Sequence, residues 1–150
     1  MPFEIVQLLV IFPACLGFAL VNHMRPRLLV RATMGAVLCW AVYLAVYHVM
    51  GGEFAPALVA SAVAAGYAQV LSHGNRALIT PYFIIAVLPV VPGASLFYTM
   101  AAAEGGDWAS VTNYALRTAQ FVLGIAMGGS LVWAAMGIVR NTRETWKARR

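Results

Sequence analysis

The sequence predicts an all-α integral membrane protein with about five transmembrane helices, the fourth broken near its middle. Of 150 residues, 62% are hydrophobic and 10% charged, against about 25% charged in soluble domains, and the mean hydropathy is +0.80. Residues 3–21, 32–50, 54–71, 77–103 and 118–139 form apolar stretches that approach or exceed the ~20 residues a spanning helix needs. Inside the fourth, Pro89, Pro92 and Gly93 interrupt the run as P-x-x-P-G. An interior proline removes a backbone donor and clashes with the preceding turn, and lipid tolerates such a break only where protein or a polar cavity surrounds it.

The first segment, 3–21, opens as "MPFEIVQLLV", with no basic leader and no small-residue cleavage site behind it, so it is expected to stay as a spanning helix. A basic loop, "NHMRPRLLVR", separates it from 32–50; "GGE" leads to 54–71, and "SHGNR" to 77–103. As continuous helix the fourth segment would measure about 40 Å against a hydrocarbon core of about 30 Å, an excess that suits an interruption. "EGGDWASVTNYALR" leads to 118–139, and "RNTRETWKARR" closes the chain as a basic tail, 140–150. The whole is expected to be one transmembrane domain.

The net charge of +5 is distributed by side. Arg25, Arg27 and Arg31 fall in the first loop, Arg76 in the third, and Arg140, Arg143, Lys147, Arg149 and Arg150 in the tail; Glu4, Glu53, Glu104 and Asp107 fall opposite. Basic residues accumulate on the cytoplasmic side, which sets the N-terminus outside and the C-terminus inside. A re-entrant hairpin at residues 89–93 would put the tail opposite Arg76, and the charges disfavour it. Arg117, on the outer side, is expected to snorkel to the interface or to pair with Glu104 or Asp107. With no basic stripe interleaved with aromatics, the positive charge points to the lipid bilayer and not to nucleic acid.

Chemistry-bearing residues are few. Cys15 and Cys39 lie in apolar segments without Cys-x-x-Cys or histidines at ligand spacing, so neither a disulfide framework nor a metal site is expected, and no cofactor. His23, His48 and His73 read as structural. No Asp, Glu or Lys lies deep in a span, and phosphate-loop, H-E-x-x-H and Ser–His patterns are missing, which speaks against an enzyme.

The break is the main candidate site. It would leave carbonyls near Leu88 and amides from Ala94 onward without intrahelical partners, and helix N-termini hold anions this way in transporters. Ser95, Tyr98 and Thr99 follow with hydroxyls that can orient a small polar solute, and a leucine at Gly93 is expected to crowd the turn. The alternative is a proline kink that only shapes helix packing. Gln7, Ser61, Gln120 and Ser130 are expected to bond neighbouring helices; Asn22 and Gln69, near the cytoplasmic ends, either do the same or line a vestibule. Ala57, Ser61 and Ala65 on the third segment, and Gly124 with Gly128 on the fifth, are spaced for close helix approach.

Two stretches carry a family resemblance. "FPACLGFALVNHMRPRLLVRATMGA" and, more specifically, "TPYFIIAVLPVVPGASLFYTM" resemble the small subunit, or C-terminal domain, of the threonine/serine exporter family. The resemblance covers nearly the whole chain and implies a bacterial inner-membrane protein that works with a larger membrane subunit of the same family. It implies export of threonine or serine, with dicarboxylates such as succinate as the alternative substrate class. Pro89, Pro92, Gly93 and Tyr98 are the positions matching the family signature. Two rivals remain open: an assembly subunit without substrate contact, and a passive channel.

Overall fold

The computed structural model describes residues 2–22, 26–75 and 79–148. They form six helices and one 3-10 turn: α1 (Pro2–Val21), α2 (Pro26–Met50), α3 (Phe54–Asn75), α4 (Ile79–Val87), the 3-10 turn Leu88–Val90, α5 (Gly93–Glu104) and α6 (Trp108–Ala148), with no strand among them. Arg25 and Arg76 lie outside the described residues, as do the side chains of Arg27, Arg140 and Arg143.

Local chemistry sets the boundaries. At the end of α1 the backbone N–H and side-chain Nδ2 of Asn22 both donate to the Phe18 carbonyl, at 3.1 and 2.8 Å, satisfying a carbonyl the helix end leaves free. Proline is favoured at a first helical position, where its missing N–H has no partner to lose, and Pro26 opens α2 there. Gly51 and Gly52, at φ 64° and 71°, then turn the chain tightly into α3. At the end of α5 the Asp107 N–H bonds to the Ala102 carbonyl and the Gly106 N–H to that of Ala103, with Gly106 at φ 74°, the paired bonds of a left-handed glycine cap. Asp107 at once caps the next helix: the Ser110 N–H donates to its Oδ1 at 3.2 Å, and the Ser110 hydroxyl to its Oδ2 at 2.6 Å.

Two expectations need correction. The second helix begins six residues before 32, so Arg27 and Arg31 belong to α2 and not to a loop. The stretch expected to connect the fourth and fifth segments is helical from Trp108, and the tail continues that helix to Ala148, giving 41 residues in all. Once Asp107 has capped it, no glycine or proline occurs until Gly124, so the polar residues ride on the helix surface instead of ending it.

By length and composition three helices can cross a membrane: Leu28–Met50, Phe54–Ser72 and Trp108–Val139. Ile79–Val90 and Gly93–Glu104, bent by 53°, make a fourth if they are one span, while Ile5–Val21 is a shorter apolar helix. The described helices thus supply three or four spans where the sequence suggested five.

α3 packs chiefly against α6 and α2, α1 lies on α2, α4 sits against α2 and α3, and α5 rests on α6. Without a hydrophobic drive between helices in lipid, close approach depends on small side chains, and the interior is accordingly rich in alanine: Ala19, Ala32, Ala36, Ala57, Ala60 and Ala68 are fully buried. A Cβ at Gly124 would stand 2.8 Å from both the Ala57 Cβ and the Phe54 carbonyl, and one at Gly128 would collide with the Ser61 hydroxyl and the Leu58 carbonyl. Ser61 also donates to the Gly124 carbonyl at 3.3 Å. Ala65 is buried on α3 as well. At Gly35 on α2 a Cβ would lie 2.7 Å from the Tyr67 ring, which packs there while its hydroxyl donates to the Arg31 carbonyl at 2.7 Å.

Candidate functional site

The helix breaks at the P-x-x-P-G stretch. After Val87 the backbone tightens into the 3-10 turn, Val91 is extended at φ −63° and ψ 127°, and Pro92 caps α5 without a side-chain hydrogen bond. The freed amides are partly consumed in the turn. Val91 donates to the Leu88 carbonyl at 3.2 Å, Gly93 to that of Val91 at 2.8 Å, and Leu96 to that of Pro92 at 3.0 Å. Ala94 and Ser95 therefore carry the first-turn amides for which helix geometry offers no partner.

The expected crowding at Gly93 is corrected: a Cβ there meets nothing within 4 Å, and its φ is not in the left-handed region. Pro89 is half-buried and Pro92 buried, but Gly93 is exposed. The hydroxyls beyond the break do not converge. Thr99 Oγ1 donates back to the Ser95 carbonyl at 2.7 Å, and Tyr98, 51% exposed, lays its ring 5.5 Å from that of Tyr114 on α6. No residue of α5 is buried.

Away from the break, Asn22 is exposed and spends its side chain on capping α1. Gln69 is partly buried, with its carbonyl accepting the Ser72 hydroxyl at 2.8 Å. Arg117 does not pair with Asp107, whose carboxylate is held by Ser110, nor with Glu104; it lies instead within electrostatic reach of Tyr43. The two hydrogen bonds from Ser110 hold the Asp107 carboxyl below its ordinary value. Tyr43, buried on α2, donates to Glu53 Oε2 at 2.5 Å and stacks between Trp40 and Phe121, at ring separations of 4.9 and 5.7 Å.

Sequence reasoning missed the two polar atoms that stand out most. The Tyr82 hydroxyl and the Trp40 Nε1 are buried with no hydrogen-bond partner. A buried polar group without a partner costs about 1–3 kcal/mol, and native proteins keep few of them. Tyr82, 1% exposed, is the largest fully buried side chain among the described residues. Inside "TPYFII" its phenol reads as one more apolar aromatic; the only signal was a donor in a run that leucine or phenylalanine would fill equally well.

Among the described residues no group of His, Cys, Asp and Glu is arranged to hold a metal ion. The family model described as "Threonine/Serine exporter, ThrE" matches residues 7–135, a span that takes in most of α1, all of α2, α3 and α4, the break, α5 and most of α6. No curated protein and no solved structure matches the chain. A family match over nearly the whole length, on a chain made of long apolar helices packed through alanine and glycine, leads to one conclusion: this multi-pass membrane transport protein belongs to the threonine/serine exporter family.

Proposed function

We propose that the chain is the small membrane subunit of a two-component secondary exporter of small carboxylate-bearing metabolites, threonine or serine first, working with a larger membrane subunit of its family in the bacterial inner membrane. The observation that carries the reading is the 53° break between Ile79–Val90 and Gly93–Glu104 inside a chain of this family. Broken membrane helices offer free amides to anionic substrates near the midplane, and the Ala94 and Ser95 amides are the ones so offered.

The proposed topology has five crossings, with the N-terminus outside and the C-terminus cytoplasmic. Its support is the one-sided distribution of Arg25, Arg27, Arg31, Arg76, Arg140 and Arg143, together with an α1 of 20 residues, about 30 Å long. In this arrangement the bent pair crosses once. Cysteines placed at exposed Ala109 and Asn22 test it, since native Cys15 and Cys39 are buried. An impermeant thiol reagent added outside is expected to label the former alone; labelling of Asn22→Cys from outside refutes the orientation.

Function is tested by threonine and succinate efflux from preloaded cells lacking other exporters. The chain is expressed alone and then with a larger family subunit. Efflux only with both supports the two-component exporter and identifies the substrate. Efflux from this chain alone refutes the division of labour, and no efflux of either solute in any combination refutes the exporter reading.

A further inference from the structure

α3 and α6 run side by side in the same direction. A Cβ at Gly124 would meet that of Ala57, and one at Gly128 the Ser61 hydroxyl, so both contacts share an offset of 67 residues along the two helices. At that offset the α3 span Phe54–Ser72 lies beside residues 121–139 of α6, and the α6 span Trp108–Val139 ends at the same level. The first turns of α6, residues 108–120, therefore continue about 20 Å past the start of α3. Val90 packs with Ala57 and Ala60 near that start, so the helix break lies at this end of the bundle. α5 stands beyond it, against the overhanging turns of α6, its chief contact. The first-turn amides of Ala94 and Ser95 open at the same level.

Lipid does not account for the overhang. Trp108–Val139 is 32 residues long. As helix it measures about 48 Å, which fits a hydrocarbon core of about 30 Å only at a tilt of about 50°, beyond the roughly 0–40° that spanning helices adopt. The α3 span, 19 residues, measures about 28 Å and matches the core upright. The free face of the overhanging turns agrees. Thr112, Asn113, Arg117 and Gln120 are exposed, and Leu116 is the one large apolar residue among the exposed positions of 112–120. A face so polar stands in water or among headgroups.

α5, at the same height, has the reverse pattern. Ser95, Thr99 and Ala102, at i, i+4 and i+7, are its half-buried residues and turn toward α6. Leu96, Phe97 and Met100 project from the opposite side and are 48, 66 and 72% exposed. A helix that keeps small and hydroxyl side chains inside and large apolar ones outside, above the hydrocarbon, presents a surface for protein. No charged residue occurs from Gly93 to Ala103, and Glu104, at the tip, lies where salt and water screen it, so two such faces meet without strong repulsion. Copies in one bilayer share one orientation. A two-fold axis along the membrane normal then sets their α5 helices parallel, each residue near its own counterpart, as a self-complementary patch requires. An uncharged apolar stripe at this height is what a second copy offers.

We propose that this face of α5 is the contact between two copies of the chain, with Phe97 and Met100 at its centre. The inference goes beyond the exporter reading and depends neither on the substrate nor on the larger subunit.

The test places the photo-cross-linking residue p-benzoylphenylalanine at Phe97, Met100 or Asn113 of the full chain, in cells that also express a differently tagged copy and the larger family subunit. Irradiation is expected to join the two tagged copies, at twice the 16.1 kDa of one chain, from Phe97 and Met100 and not from Asn113. The double variant Phe97→Glu/Met100→Glu, at exposed positions, is expected to melt as wild type does, while its mass by light scattering falls from two chains to one. A cross-link to the larger subunit in place of the second copy overturns the proposal, as does a lipid adduct or no product at all. Equal product from Asn113 also overturns it, since the contact is then collision, and so does a double variant that keeps the mass of two chains. None of these readouts uses efflux, so the exporter reading stands or falls separately.

Discussion

α4 and α5 come from one apolar run and are separated only by the break, yet they occupy opposite environments. Tyr82, Ile85, Ala86 and Val87 of α4 are buried among α1, α2 and α3. α5 buries nothing, touches chiefly α6, and exposes Phe97 at 66% and Met100 at 72%. Hydrophobicity alone does not separate the halves. α4 meets alanines that allow helices to close around a tyrosine, whereas α5 departs at 53° and carries its large side chains away from the alanine-rich interior. The first half is built for tertiary contact inside the chain, and the second presents an apolar surface outward.

Substitutions that truncate equivalent side chains sharpen this contrast most. Tyr82→Ala is expected to lower stability by about 3–5 kcal/mol, as for other buried aromatics cut to alanine, and Tyr98→Ala by less than about 1 kcal/mol, as for exposed positions. Thermal melting in micelles measures both, and similar losses would erase the distinction between the halves. Next in size is Gly128→Val, where overpacking against Ser61 and Leu58 is expected to cost about 1–3 kcal/mol; a neutral result would mean that the α3–α6 contact is loose. Gly93→Leu, in open space, is expected to change stability by no more than about 0.5 kcal/mol, and a larger loss would show that the break is tightly packed.

The smallest effect is at Asp107. Its carboxyl is held below the ordinary aspartate value of 3.8 by the Ser110 hydrogen bonds. A lowered native value means that the ionised form stabilises the fold: the contribution is complete above the unfolded value and disappears as pH falls through the native one. Asp107→Asn keeps a cap but not the charge. It is expected to melt slightly lower at neutral pH and to lose less on acidification than the wild type does; parallel acid limbs would show that the charge does not matter.

The break was legible because proline and glycine act locally, through a missing donor and a permissive backbone. The pairing of Gly124 and Gly128 with α3 was legible only as spacing; which helix meets them depends on tertiary arrangement. Residues 108–117 read as a loop by their polarity, but the outcome turned on a single capping residue, Asp107, and on the lack of any breaker behind it. Tyr82 and Trp40 escaped notice for a different reason. Their residue types are at home in a membrane helix, and what sets them apart is an acceptor missing from the three-dimensional neighbourhood.

The 41-residue α6 has a mechanical consequence. Gly128 stands at its midpoint, where the helix backbone rests on Ser61 and Leu58 of α3 with no side chain of its own between them. Gly124, one turn earlier, rests in the same way on Ala57 and the Phe54 carbonyl, so the seat runs along a full helical turn and not through a single point. A side chain gained at either glycine would therefore lever α6 away from α3 at the contact that also carries the Ser61–Gly124 hydrogen bond.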